Sequence, residues 1–364
     1  VKYYIIAGEA SGDLHASNLI RQINLQDPTA EIRAWGGDEM TKAGANVVKH
    51  IRDLAFMGFI EVVMNIRAIF KNISWCKSDI SSFQPDALIL VDYPGFNLRI
   101  AKWAHEKGLK VIYYISPQLW AWHESRVKEI RQNVDLMMVI LPFEKEFYAK
   151  HAMEVTFVGH PLLDIIAPEK TSNQQNSNRK TIALLPGSRK QEIIAMLPVM
   201  LSVAEEYPMY DWVLACAPAI PDSFYYGIVA KNSAVRLVRA RTYELLTKSF
   251  VALVTSGTAT LETALFGVPQ VVCYKGNKVS YWLAKRLIKV KYISLVNLIL
   301  DKALVTELIQ GEMNHDTLKT EFEKLLNPKR RSELEIEYQI LRNQLGNAGA
   351  SKRAAEAISD FMKL

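Results

Sequence analysis

Four short stretches place acids, hydroxyls or an arginine directly after an apolar run. They are "IIAGEASGD" (5–13), "ALILVDYPGFN" (87–97), "LLPGSRKQE" (184–192) and "TSGTATLETALFGVP" (255–269). An acid that closes a buried strand stands where open α/β sheets bind their ligands, so Asp92 is a candidate to take a proton from a substrate hydroxyl. Glu9 and Asp13 follow the first apolar run in the same way, and the expectation is that all three acids converge on one cleft. Gly8 and Gly12 between them let a ligand approach bare backbone.

The other two stretches suit phosphate. Gly257 opens the backbone at a strand end, and Ser256, Thr258 and Thr260 supply hydroxyls at a helix start. Such an end carries unpaired N–H groups and a partial positive charge. Glu262, one turn in, is unsuited to phosphate but suited to a pair of ribose hydroxyls. Gly187 and Ser188 likewise end a strand, and the Arg189 guanidinium can fork onto phosphate oxygens. The same hydroxyls also serve simply to cap a helix, and Arg189 also reads as a solvated charge. The sequence lacks G-x-G-x-x-G, the P-loop pattern and any D-x-D pair, which counts against dinucleotide oxidoreductases, P-loop enzymes and a metal held by paired aspartates. His123 and His160 are rival bases, although histidines in such contexts more often bond locally.

Short apolar runs at 3–7, 87–91, 110–115, 136–140 and 155–158 alternate with helical patterns, a βαβα order that predicts a parallel sheet. Ala16, Leu19, Ile20 and Ile23 mark the buried face of the first helix. After Pro168 the chain runs "EKTSNQQNSNRK", with no apolar residue, and the scheme then restarts with runs at 182–185, 212–216, 235–238, 250–254 and 270–273. The predicted division is an N-terminal Rossmann-like domain at 1–167 and a second at 168–346, with a helix at 347–364 crossing back to the first. The fold class is α/β, two doubly wound domains facing a central cleft.

With 364 residues, 49% hydrophobic and 23% charged, the chain has the balance of a globular protein, and its net charge of +6 favours anionic partners. Basic residues lie among apolar ones, with no polar basic stripe, which argues against nucleic acid. Three scattered cysteines point to a reducing compartment and to no structural zinc. No run is long enough for a spanning helix, so a cytoplasmic protein is expected.

Two segments are nevertheless greasy. In "GFIEVVMNIRAIFKNISW" (58–75), Val62, Ile66, Ile69, Phe70 and Ile73 are read as one face, with further apolar residues beyond it, an excess that suggests an exposed greasy patch or acyl groove at the membrane. In "NKVSYWLAKRLIKVKY" (277–292), Trp282 and its apolar neighbours alternate with Lys285, Arg286 and Lys289, the composition of a helix that lies on a membrane surface. Core packing and a solvated basic face are the competing readings of the two.

"AGEASGD", "MGFIEV", "VDYPGFN", "YISPQLWAW", "LPFEKEFY", "FVGHPL", "LLPGSR", "SGTATLE" and "YISLVNLI" occur in this order and nearly span the chain. Together they resemble the lipid-A-disaccharide synthase family of GT-B glycosyltransferases. The resemblance implies inverting transfer of a 2,3-diacylglucosamine unit from its UDP donor to 2,3-diacylglucosamine 1-phosphate. The products are a β-1,6 disaccharide and UDP. It implies no cofactor, and an enzyme held peripherally at the inner face of a bacterial inner membrane. Asp92 matches the family's proposed base, Ser188 and Arg189 the diphosphate contact, the SGTATLE turn with Glu262 the nucleotide pocket, and Asn297 the asparagine of an SLPNLL-like segment. Gly95 stands where some relatives have a second acid, in a DAPDFN form, and Val296 where they have proline. Another UDP-GlcNAc-using GT-B enzyme, a transferase or a 2-epimerase, is the alternative.

Overall fold

The structure is a computed structural model that describes residues 1–54, 66–122, 124–166, 179–218, 220–229, 235–276 and 290–363. It divides into two compact units, one formed by Val1–Asp164 with Leu345–Leu364 and the other by Ile165–Gln344.

The first unit is built on a seven-stranded parallel sheet. Its strands are β1 (Lys2–Ala7), β2 (Glu31–Gly36), β3 (Asn46–His50), β4 (Ala87–Val91), β5 (Lys110–Tyr114), β6 (Leu136–Val139) and β7 (Thr156–Phe157), in the order β3-β2-β1-β4-β5-β6-β7. The second carries six parallel strands, β8 (Thr181–Leu185), β9 (Asp211–Cys216), β10 (Val235–Arg239), β11 (Ser249–Thr255), β12 (Gln270–Tyr274) and β13 (Thr306–Ile309), in the order β10-β9-β8-β11-β12-β13. The central strands β4, β8 and β11 are buried at every residue, and this is why they read as unbroken apolar runs.

Three strands escape the apolar-run reading, namely β2, β3 and β13. β2 ("EIRAWG") mixes charge with apolar residues, and β3 and β13 are edge strands whose residues are only partly covered. A strand buried on one side or at an edge needs no continuous apolar run. In each sheet the strand order reverses at one place. β1 pairs with both β2 and β4, with Ala7 opposite Val91, and β11 pairs with β8, with Val254 opposite Leu185. At these switch points the connections leave to opposite sides and open a crevice at the C-terminal strand ends.

The helix Ala350–Lys363 packs on the helix Ala10–Gln26 of the first unit. Asp164 fixes its start, accepting the backbone N–H groups of Gly349, Ala350 and Ser351 at 2.6, 3.0 and 2.8 Å. Arg353 completes the joint, with Nε donating to the Val158 carbonyl at 2.8 Å and its other nitrogens to the carbonyls of Ala348 and Asn347. Asp164→Ala leaves those N–H groups without their acceptor and is expected to lower stability by about 1–2 kcal/mol. Hydrogen exchange should accelerate most in 350–363. An unchanged melting temperature and exchange pattern would remove Asp164 as the anchor of this helix.

Candidate functional site

In the first unit, the switch point brings together the strand ends that carry Glu9 and Asp92. Asp92 follows β4 directly, is half-buried, and its carboxyl is pushed up to about 7. Burial is the main cause, the Glu9 carboxylate adds to it, and a hydrogen bond from the Tyr93 backbone N–H opposes it. Glu9 is the residue before the helix Ala10–Gln26, and its side chain makes no capping bond there. Gly8 is explained by the Tyr93 ring, whose nearest atom would lie 2.3 Å from a Cβ at position 8.

Asp13 does not join the other two acids. One turn into the helix it faces the end of β2, where its oxygens accept the backbone N–H groups of Gly37, Glu39 and Met40 at 2.7, 3.1 and 3.1 Å. It is 5% exposed and starts the short helix Asp38–Lys42, so its position supports a structural role and not proton transfer.

The Asp92 turn is strained. Asp92 and Tyr93 have φ of 45° and 50°, left-handed values that cost non-glycine residues on the order of 1–3 kcal/mol each. Two residues that sequence reading did not single out hold it. The Tyr113 hydroxyl donates to the Asp92 carbonyl at 2.6 Å, and Asn97 Nδ2 donates to the same oxygen at 2.8 Å. The Asp92 N–H in turn donates to the Tyr114 carbonyl at 3.2 Å, and Tyr93 stacks on Phe96 with ring centres 5.6 Å apart. Asn97 is fully buried, a signal available only once the fold is known.

Two of the quoted segments form one joint beyond β5 and β6. Glu144, from "LPFEKEFY", is buried and accepts the N–H groups of Ile140 and Leu141 at 3.1 and 2.9 Å, while its other oxygen accepts Trp120 Nε1 at 3.2 Å. Burial pushes this carboxyl up to about 7. Ser116 and Tyr148 close the same joint with a 2.7 Å hydroxyl pair. His160 is buried, its Nδ1 accepts the Leu162 N–H at 3.2 Å, and burial lowers its pKa to about 3, which makes it a weak base. His123 lies outside the described residues.

In the second unit, the switch point between β8 and β11 brings the two glycine turns to one sheet edge. Gly257 has φ 151° and ψ −164°, a region essentially restricted to glycine, and precedes the helix Thr258–Leu265. Thr258 is exposed at that helix start. Thr260 is buried and its hydroxyl donates to the Gly257 carbonyl at 2.8 Å, so it shapes the turn. Ser256 Oγ donates to the Ile293 carbonyl at 2.9 Å. Glu262 is half-buried, accepts the Tyr243 hydroxyl at 3.3 Å, and is raised above the ordinary carboxyl range by burial.

Gly187, with φ 112°, leads into Ser188 and Arg189 at the start of the helix Lys190–Glu206. Glu192 already engages this turn. One of its oxygens accepts the N–H groups of Ser188 and Arg189 at 3.2 and 3.3 Å, and the other pairs with Arg189 Nη1 at 3.0 Å. A carboxylate therefore sits on the donors that would suit a phosphate.

Asn297 is placed as a structural latch. Its Nδ2 donates to the Val305 carbonyl and to Glu307, each at 2.9 Å, and its Oδ1 accepts the N–H groups of Leu304 and Val305. Glu307, unnoticed in the sequence, also accepts the N–H groups of Ile293 and Ser294 and the Ser294 hydroxyl. Because Ile293 receives the Ser256 hydroxyl, Asn297 reaches the SGTATLE turn through this chain of bonds.

Val62, Trp282, Lys285, Arg286 and Lys289 lie outside the described residues, as does the side chain of Ile66. In the helix Ile66–Phe83 the covered face is Ile73, Cys76 and Ile80, with Ile69 half-buried. Phe70, read with Ile69 and Ile73 as one face, is 59% exposed, and Trp75 is 43% exposed. A cavity of about 370 Å³ lies between this helix, the Asp92 turn and the segment 126–129. A larger one of about 650 Å³ in the second unit involves Gln270 and Thr306, the first residues of β12 and β13, and so lies at the strand ends opposite the glycine turns.

The family model for lipid-A-disaccharide synthetase matches residues 3–361. The lipid-A-disaccharide synthase of Syntrophus aciditrophicus is 40% identical over 366 residues, covering 96% of this chain and 95% of that one. That of Nitrosococcus oceani is 39% identical over 364 residues, covering 97% and 94%. Among solved structures, the Methanocaldococcus jannaschii UDP-GlcNAc 2-epimerase in complex with UDP-GlcNAc and UDP superposes with a TM-score of 0.67 at 13% identity, over 99% of each chain. That likeness establishes the fold, the GT-B pair of parallel α/β units, and nothing finer.

Proposed function

The chain belongs to the lipid-A-disaccharide synthase family, and on that premise we propose that it moves 2,3-diacylglucosamine from a UDP donor to the 6-hydroxyl of 2,3-diacylglucosamine 1-phosphate, with Asp92 as the base. The observation that carries the assignment of the base is the Asp92 turn itself. It is a carboxylate at a sheet switch point, strained, strapped by Tyr113 and Asn97, with a pKa near 7. A base poised near the working pH combines adequate basicity with a large ionised fraction. Inverting displacement needs that base on the acceptor hydroxyl while the anomeric carbon becomes cation-like and UDP leaves. The epimerase alternative rests on fold likeness alone, whereas relatives at 36–40% identity over nearly the whole chain are synthases.

The donor reading rests on the second unit. The N-terminal N–H groups of Thr258–Leu265 and the Arg189 guanidinium are the groups suited to the leaving diphosphate, and Glu262 is the proposed acceptor for ribose hydroxyls. Arg189 and the helix end supply positive charge without a metal, and the sequence has no D-x-D pair. We therefore expect full activity in excess EDTA. Loss on chelation with recovery on adding magnesium would overturn the metal-free account.

Asp92→Asn is expected to reduce kcat by several orders of magnitude while UDP binding, measured by calorimetry, persists. In the wild type the base must be ionised, so kcat/KM should rise with pH through about 7. Glu9 raises the Asp92 pKa by charge repulsion, so Glu9→Gln should move this acid limb to lower pH. A limb that stays in place in the Glu9 variant, or near-normal turnover in Asp92→Asn, would assign the base elsewhere.

Both substrates carry acyl chains, and burying hydrocarbon at about 0.8 kcal/mol per CH₂ keeps them in a bilayer, so the enzyme has to work at a membrane surface. No helix among the described residues is long and apolar enough to cross one. Among the described side chains of the first unit's helix 66–83, Phe70 and Trp75 are large, apolar and exposed, and they are the proposed contact there. Phe70→Glu should leave the melting temperature unchanged and reduce co-sedimentation with anionic liposomes. Undiminished sedimentation would place the contact elsewhere, with the basic aromatic segment 277–292 the next to test.

A further inference from the structure

The cavity beside the Asp92 turn holds chemistry that proton transfer does not use. Its walls include Tyr93, Pro94 and Gly95, so it opens one residue beyond the carboxylate. Arg99 and Arg126 line it together with Asn72, and so do the apolar residues Ile69, Phe96 and Leu98. Arg99 gives one nitrogen to the Gly95 carbonyl at 2.9 Å and keeps further donors. Arg126 is half-buried and makes no hydrogen bond or ion pair among the described residues, although Glu129 lines the same cavity one helical turn away. Its charge is nevertheless felt at the Tyr113 hydroxyl, which straps the Asp92 turn.

Two cations and one carboxylate around so small a space leave a net positive charge, and an unpaired guanidinium held partly out of water favours an anion with several acceptor oxygens. A phosphomonoester carries between one and a half and two negative charges at neutral pH and presents three such oxygens. The apolar part of the lining, Ile69, Phe96 and Leu98, suits a ligand that is also greasy. An acylated sugar phosphate meets both demands at once.

We propose that this cavity is the subsite for the acceptor's 1-phosphate, with Arg126 as its principal ligand, Arg99 as the second, and Ile69 and Leu98 flanking the first part of an acyl chain. The proposal rests on the acceptor reading given above. It accounts for acceptor selection, since the free phosphomonoester is the group that the acceptor has and the UDP donor lacks. Because the cavity begins at Tyr93, phosphate bound there fixes the sugar against the turn that carries Asp92.

The test compares two acceptors, short-chain 2,3-diacylglucosamine 1-phosphate and the same compound without its phosphate, in wild type and Arg126→Gln. The variant should raise KM for the phosphorylated acceptor about 10- to 100-fold, with kcat far less affected, and the wild-type preference for that acceptor should collapse towards unity. Arg126→Lys should recover part of the preference, since it restores charge but not the fork. An equal loss on both acceptors in Arg126→Gln would overturn the proposal and make Arg126 a support of the Asp92 turn. A preserved preference combined with weaker binding to phosphatidic acid vesicles would also overturn it, reassigning Arg126 to a membrane headgroup. If wild type transferred to neither acceptor, the transferase reading would fail, and calorimetric titration with the phosphorylated acceptor would decide the subsite independently. Binding weakened at least tenfold in Arg126→Gln upholds it, and equal binding refutes it.

Discussion

The constraint on which the rest depends is the reversal of strand order in each parallel sheet. Parallel strands need crossover connections, and these cover one face of a sheet until the order turns back. At the turn, neighbouring strands send their chains to opposite sides and leave a crevice that no helix fills. β1 beside β4 makes that opening in the first unit and β8 beside β11 in the second. The four stretches with reactive side chains are the four segments that follow those strands. Pairing of Ala7 with Val91 is what makes Glu9 and Asp92 electrostatic neighbours across 83 positions of sequence.

Within that frame, chemistry and strain go together. An aspartate in the left-handed region next to a tyrosine in the same region is an unfavourable piece of backbone, yet it holds a carboxylate at the strand end within electrostatic reach of Glu9. Two hydrogen bonds from Tyr113 and Asn97 to one carbonyl oxygen over-determine the turn. The same partial burial raises the carboxyl pKa, so positioning and basicity have one physical cause.

Much of the remaining motif content is scaffold built from one device, a carboxylate or amide side chain that exchanges hydrogen bonds with the backbone of a neighbouring segment. Asp13 ties the first helix to the turn after β2, Glu144 ties the loops after β5 and β6, Asp164 starts the last helix, and Glu307 with Asn297 secures the loop behind Ser256. Charge-assisted bonds to backbone N–H groups are strong and directional, and they suit loops that lack apolar residues to pack. Residue types alone do not separate these carboxylates from Asp92, because a buried acid with backbone partners and a reactive one follow strands in the same way.

The sequence by itself determined the α/β class and the ten strands that read as apolar runs, the edge strands β7 and β10 among them, and it marked the glycine-bearing turns as candidate ligand sites, because strand burial and tight turns leave marks in local composition. It also carried enough ordered motifs to identify the family. Tertiary structure alone decided that β2, β3 and β13 are strands, since their charged and only partly covered residues leave no unbroken run. It alone separated Asp13 and Asn297, both engaged by backbone, from Asp92, and brought out Tyr113, Asn97, Glu307 and Arg126. It turned Phe70 outward, a choice that the periodic face it shares with Ile69 and Ile73 left open between core and exposed patch. Each of these depends on which distant segment faces a side chain. That is a property of strand order and register, which spacing along the chain does not record.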